Sequence, residues 1–234
     1  MTCQMRSRVL SLLLLGALVA CGKKSEPTRA SFEEGMRAYL ERRGDLCLAK
    51  PVWPIDVTPR DVAMGTRDAA QMPVLERLGL VRSSDATVDV STEDGTVPVE
   101  VRRYALTEAG LLDYRSHEVG VNAAGEKIAA SDFCVVKLSL ARVTGWEISQ
   151  PAAPDAPPHA VVSYTYDVAA DPWTSDPEVQ RVLPAVARVV KGAGSATLKE
   201  SFVLAPGGWV AAELLPGDVR VVNNAPRPSA PGNP

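Results

Sequence analysis

The chain has 234 residues, with 25 Lys and Arg against 28 Asp and Glu, two histidines and four cysteines. That length allows one large domain or two small ones, and it suffices to bury a core without a metal. A net charge of −3 excludes a strongly basic nucleic-acid binder, two histidines argue against a multi-histidine metal centre, and 19 prolines with 17 glycines argue against a long coiled coil.

Arg6 and Arg8 form a short positive segment ahead of Val9–Ala20, which is apolar apart from Ser11 and Gly16. Those twelve residues span about 18 Å as a helix, short of the roughly 30 Å hydrocarbon core. The pattern is that of a signal-peptide h-region. Leu18-Val19-Ala20-Cys21 resembles the lipobox of bacterial lipoproteins, with a leucine three positions before the cysteine and a small residue just before it. The resemblance implies that residues 1–20 are a lipoprotein signal peptide cleaved before Cys21. It further implies diacylglycerol on the Cys21 thiol and a fatty acyl group such as palmitate on the new amine, as in most Gram-negative cells. Two or three acyl chains meet the requirement for stable attachment. Gly22 stands where the enterobacterial sorting pattern has Asp for inner-membrane retention, which implies the outer membrane, with the body facing the periplasm. The alternatives are an ordinary secretory signal with an incidental cysteine and a short buried helix. Residues 21–30 are polar and contain Gly and Pro, so they are expected to be a flexible tether.

The cysteines follow from that address. Cys3 leaves with the signal and Cys21 carries lipid, so Cys47 and Cys134 remain in a compartment that permits a disulfide. The alternative is two buried free thiols. No histidine lies near either cysteine in sequence, so a catalytic thiol is not expected.

Residues 31–115 are expected to form the first module. Ser31 with Glu34 has the form of a capping box, and Phe32, Met36, Tyr39 and Leu40 recur at helical spacing up to Gly44. Prolines 51, 54 and 59 enforce an extended stretch around Trp53. A second helix is expected from Pro59 or Arg60 to Leu78, with an interruption near Pro73. Alternation over Thr87–Ser91 and Val97–Leu106, around Thr92-Glu93-Asp94-Gly95, predicts a hairpin. Thr107 is expected to cap a short helix. The run Leu75-Glu76-Arg77-Leu78-Gly79-Leu80-Val81, the hairpin, and then Tyr104-Ala105-Leu106-Thr107-Glu108-Ala109-Gly110 resemble winged-helix domains. That resemblance implies a shape more than a function. DNA binding is opposed by the hairpin's acids Asp85, Asp89, Glu93, Asp94 and Glu100, because DNA affinity rests on neutralising phosphates.

Residues 116–132 read as a connector, and residues 133–220 as a second module. Cys134–Leu140 alternates and runs on towards Ile148, the Pro/Ala-rich stretch 151–158 is expected as a loop, and Ala160–Val168 alternates again. Asp176-Pro177-Glu178 starts a helix whose stripe is Val179, Val182, Leu183, Val186 and Val190, kinked or shortened at Pro184. Ala196–Leu204 and Trp209–Leu214 are two more strands. The order β-β-α-β-β predicts an antiparallel sheet with one helix packed on it, and the chain as a whole an α+β fold. The tail 221–234, rich in Pro, Asn and Gly, is expected to be disordered.

Chemistry is sparse. His117 and His159 have no partner at a metal-ligand spacing, so no metal and no cofactor is expected. Gly192-Ala193-Gly194-Ser195 lacks the ending of a phosphate loop. Asp167, Asp171 and Asp176 cluster around Trp173 and could form a ligand or partner surface, although solvated loop acids and a helix cap explain them as well. The expectation is a non-enzymatic lipoprotein held to the membrane by Cys21 and acting on another envelope protein, as an assembly component or an immunity or inhibitor protein. The alternative is a periplasmic binding module for a small molecule, glycan or peptidoglycan, and after it a cryptic hydrolase.

Overall fold

The computed structural model of the chain describes residues 25–92, 95–149 and 156–216. The expected signal peptide (residues 1–20), Cys21, Glu93 and Asp94, most of the 151–158 stretch and the expected tail lie outside the described residues.

Helix α1 spans Arg29–Arg43 and starts one capping box earlier than expected. The Thr28 hydroxyl accepts from the Ser31 N–H, and the Ser31 hydroxyl accepts from the Thr28 N–H. Ser31 is therefore the third helical residue and not the cap, since Thr28 offers the same hydroxyl chemistry in an extended conformation upstream. Gly44 ends the helix as anticipated.

Strands β1 (Asp45–Cys47) and β2 (Ile55–Val57) are short. The single helix expected over 59–78 is two helices, α2 (Pro59–Met64) and α3 (Arg67–Arg77). The break falls at Gly65 and not near Pro73. Gly65 takes a left-handed conformation at φ 60°, and Thr66 then caps α3 with its own hydroxyl. Pro73 is accommodated within α3.

Strands β3 (Val81–Thr92) and β4 (Gly95–Leu106) form the anticipated hairpin, antiparallel and in register from Val81 opposite Leu106 to Thr92 opposite Gly95. Strand β2 adds to β4 only at Arg102–Tyr104, giving the order β2-β4-β3. Thr107 caps the short α4 (Glu108–Leu111).

The stretch 116–132 carries strand β5 (Tyr114–Val121) and the opening of β6 (Lys127–Ser149), which pair with each other. Strand β7 (His159–Ala170), helices α5 (Pro177–Val182) and α6 (Pro184–Gly192), and strands β8 (Thr197–Ala205) and β9 (Gly208–Ala211) complete the chain. Pro184 divides the expected helix in two, with Leu183 non-helical between the halves. The large sheet is antiparallel in the order β1-β6-β7-β8-β9, with β5 also on β6. The β-β-α-β-β order thus holds, but β1 from the first half of the chain joins the same sheet.

Two apolar clusters hold the fold. In one, Phe32, Met36 and Leu40 of α1 pack on Val162, Phe202 and Trp209. The Phe32 ring centre lies 4.9 Å from that of Trp209 and 5.3 Å from that of Trp146. Gly35 lets α1 come this close, because a Cβ there would sit 2.8 Å from Phe202 Cε1 and collide with the Trp209 carbonyl. The other cluster joins α3, β3 and β4 to β6, α5 and α6 through Leu75, Val81, Tyr104, Phe133, Val179 and Val186. Each cluster therefore combines residues from both halves of the chain.

Candidate functional site

The cysteine pair forms as anticipated. Cys47 on β1 lies opposite Cys134 on β6, and the two are joined by a disulfide closing 87 residues of sequence. Neighbouring backbone pins this corner independently of the sulfurs. The Leu48 N–H donates to the Phe133 carbonyl, and the Cys134 N–H to the Asp113 carbonyl, both at 2.8 Å. The fold also brings His117 of β5 to the pair, with its ring nitrogen and both sulfurs within 4.8 Å of one another. Sequence spacing hid this neighbour, because the proximity arises only when β5 folds back along β6.

The residues Asp167, Asp171, Trp173 and Asp176 do not converge on one site. Asp167 lies exposed on β7 opposite Ser139. Asp176 accepts from the N–H groups of Glu178 and Val179 as the cap of α5, and from Arg77 Nη2 at 3.0 Å. The guanidinium, followed by these backbone bonds, holds its carboxyl below the usual range. Trp173 is half-buried against the second cluster. Asp171 instead faces Asp113 in an open groove of about 420 Å³ that also contains Arg115 and Lys137. Burial, followed by the Asp171 charge, raises the Asp113 carboxyl.

The β3–β4 hairpin presents exposed apolar residues on its outer half. The elements packed on it, β2, α3 and α4, meet its base. Alternation with the observed register places Val88 opposite Val99 and Val90 opposite Val97 on one face of its outer half. Val90 and Val97 are 40% and 49% exposed. The opposite face carries Asp85, Thr87, Asp89 and Glu100. Residues 85–101 contain five acids and no Lys or Arg. At the base, an open groove of about 500 Å³ runs between Pro59 and Val62 of α2 and the strand segments Asp85–Thr87 and Glu100–Arg102. Val62 is 65% exposed beside it.

A third group of polar side chains lies under α1. Glu200 of β8 is mostly buried beside Tyr39, Tyr164 and Glu213, with Arg43 nearby. Tyr39 donates to Glu213 Oε2 at 3.5 Å, and Arg43 Nη2 lies 3.6 Å from the same carboxylate oxygen. Burial, followed by the Glu213 charge, pushes the Glu200 carboxyl up to about 7. Nothing in the linear pattern marks this cluster, because its members come from α1, β7, β8 and the turn after β9.

Among the described residues no helix is long and apolar enough to cross a membrane. Comparison with known protein families, with curated proteins and with solved structures finds no match.

Proposed function

We propose that this chain is a lipid-anchored envelope protein that works without catalysis, by contact with another protein, and that the β3–β4 hairpin makes the contact. The observation that carries the reading is a pair of valine rungs on one face of the hairpin's outer half, Val88–Val99 half-buried and Val90–Val97 exposed, beyond the base on which β2, α3 and α4 pack. Valine pairs on a strand face are a surface for burial, and a contiguous exposed apolar patch marks an interaction site. The acidic charge of residues 85–101 selects the partner's chemistry: an apolar strip flanked by Lys and Arg. The partner is accordingly another envelope protein, in an assembly or as the target of an immunity or inhibitor protein, and not nucleic acid.

The lipobox-like Leu18-Val19-Ala20-Cys21 supports the address, an outer-membrane anchor with the body facing the periplasm. The Leu78-Gly79-Leu80 exit of α3 into the hairpin supports a winged-helix-like shape for the first half, here used for protein contact.

The test uses the full chain in cells, with a photo-crosslinking residue at position 90 or 97. The expected result is one adduct of defined mass, absent when the crosslinker is moved to Leu198, lost with the neighbouring Val→Asp substitution, and weakened by raised salt. Equal adducts from both positions would overturn the contact reading. Cys21→Ala is expected to release the chain from the membrane fraction and to abolish palmitate labelling, and retention of either would overturn the anchor. The groove of Asp113, Asp171, Arg115 and Lys137 favours a second reading, a site for a ligand carrying both charge signs, such as a peptidoglycan stem peptide. Saturable binding of such fragments, lost in Asp113→Asn, is its test.

A further inference from the structure

The corner of the large sheet that holds the disulfide has the donor set of a metal site. Three strands supply it. Cys47 ends β1, Cys134 lies opposite it on β6, and His117 on β5 lies opposite Ala130 of the same β6. The two sulfurs and the imidazole nitrogen are within 4.8 Å of one another. Cys134 is buried, whereas Cys47 and His117 are half-buried, so solvent approaches from their side.

We propose that, once the disulfide is reduced, Cys47, Cys134 and His117 bind a thiophilic divalent cation of the zinc class, with a fourth position left to water. Two thiolates and one imidazole are soft and borderline donors that suit zinc over calcium or magnesium. Tetrahedral coordination needs metal–sulfur distances of about 2.3 Å and a metal–nitrogen distance of about 2.0 Å, which places the sulfurs about 3.7 Å apart. The site therefore requires the two cysteine side chains to turn about their Cα–Cβ bonds while the strands stay in place. The backbone stays held by the Leu48-to-Phe133 and Cys134-to-Asp113 bonds, and by Arg115 Nη2 donating to the Cys134 carbonyl at 3.1 Å.

The chemistry balances with a small dithiol as reductant. One thiolate of the dithiol attacks a sulfur of the pair, the Cys47–Cys134 bond breaks, and the dithiol closes to its own disulfide, having supplied two electrons and two protons. Metal binding then displaces those two protons from the cysteine thiols. The neighbouring cations do not oppose the metal freely: Arg115 and Lys137 both lie against Asp45, and Arg42 against Glu118.

The experiment titrates cobalt(II), as a probe for zinc, into protein reduced by a dithiol and then freed of reductant without air. The expected result is a 1:1 complex with tetrahedral d–d bands and thiolate charge-transfer absorption, release of two protons per metal, and displacement by zinc. Oxidised protein shows none of these. His117→Ala leaves the cysteine pair intact and is expected to weaken binding by more than the roughly 10–100-fold that loss of an outer-shell partner costs. Absence of a stoichiometric complex would overturn the proposal, as would equal affinity in His117→Ala, or loss of the native far-ultraviolet spectrum on reduction before metal is added.

Discussion

Replacing Glu200 by Gln tests the buried cluster under α1. Glu200 lies on β8 opposite Val162 and is mostly buried beside Tyr39, Tyr164 and Glu213. Desolvation by burial, then repulsion from Glu213, raises its carboxyl from the ordinary 4.5 to about 7. The bonds from Tyr39 and from the Ser201 N–H, and the Arg43 charge, offset only part of this. The folded state therefore binds the proton more tightly than the unfolded state does. The resulting stabilisation is complete below about pH 4.5 and is lost as the pH rises through 7. At about 1.4 kcal/mol per pH unit, the ionised carboxylate costs the fold about 3 kcal/mol above pH 7. Gln keeps the shape and most hydrogen bonds without the charge. Glu200→Gln is therefore expected to unfold at higher denaturant at pH 8.5, with a gain of about 3 kcal/mol that shrinks to below about 1 kcal/mol at pH 5. Neither Tyr39 nor Tyr164 complicates the comparison, since burial raises both hydroxyls, that of Tyr164 to about 12. Denaturant titrations of both proteins at pH 5, 7 and 8.5 measure it. Parallel pH profiles for the two proteins, or destabilisation by Gln at every pH, would refute the reasoning.

Gly35→Ala should lower the melting temperature, with a cost of about 1–3 kcal/mol, because the new methyl meets Phe202 and the Trp209 carbonyl where α1 lies on the sheet. The double substitution Cys47→Ser, Cys134→Ser should reduce the unfolding free energy by roughly 4–5 kcal/mol, from the chain entropy of an 87-residue separation, as read from denaturant midpoints at 25 °C. Arg42→Met should cost about 1–2 kcal/mol at pH 7, since it removes the 2.8 Å bond from Arg42 Nε to Glu118 and leaves that mostly buried carboxylate with Lys127 at 3.6 Å. Arg42 holds the Glu118 carboxyl below its ordinary value, so this stabilisation exists above that value and fades as the pH falls through the native one. The penalty of Arg42→Met should accordingly narrow in acid titrations.

Local chemistry was legible wherever one short segment decides it. Asp176-Pro177-Glu178 reads as a helix start, and it is one: the carboxylate accepts two backbone N–H groups and Pro177 opens α5. Thr107 likewise caps α4. The α1 cap was misplaced by three residues because Thr28 and Ser31 carry the same hydroxyl, and the reciprocal bond between them settles which one leads. The sequence pattern predicts an interruption near Pro73 and none at Gly65, because proline is the stronger local signal. In the fold, a left-handed glycine followed by a new cap ends a helix more sharply than a proline within one.

By itself the sequence determined the α+β alternation, the hairpin and its acidic character, and Cys47 with Cys134 as the candidate disulfide pair. Each of these is a matter of residue type at short spacing, where covalent geometry and side-chain chemistry act directly. Tertiary structure decided the rest. It set α1 on the large sheet, drew β1 into that sheet, brought His117 to the cysteines, and sent Asp171 to face Asp113 while Asp176 went to Arg77. These placements depend on which apolar faces bury one another and on the register between distant strands. Such energies belong to pairs of elements, and no single stretch of chain carries them.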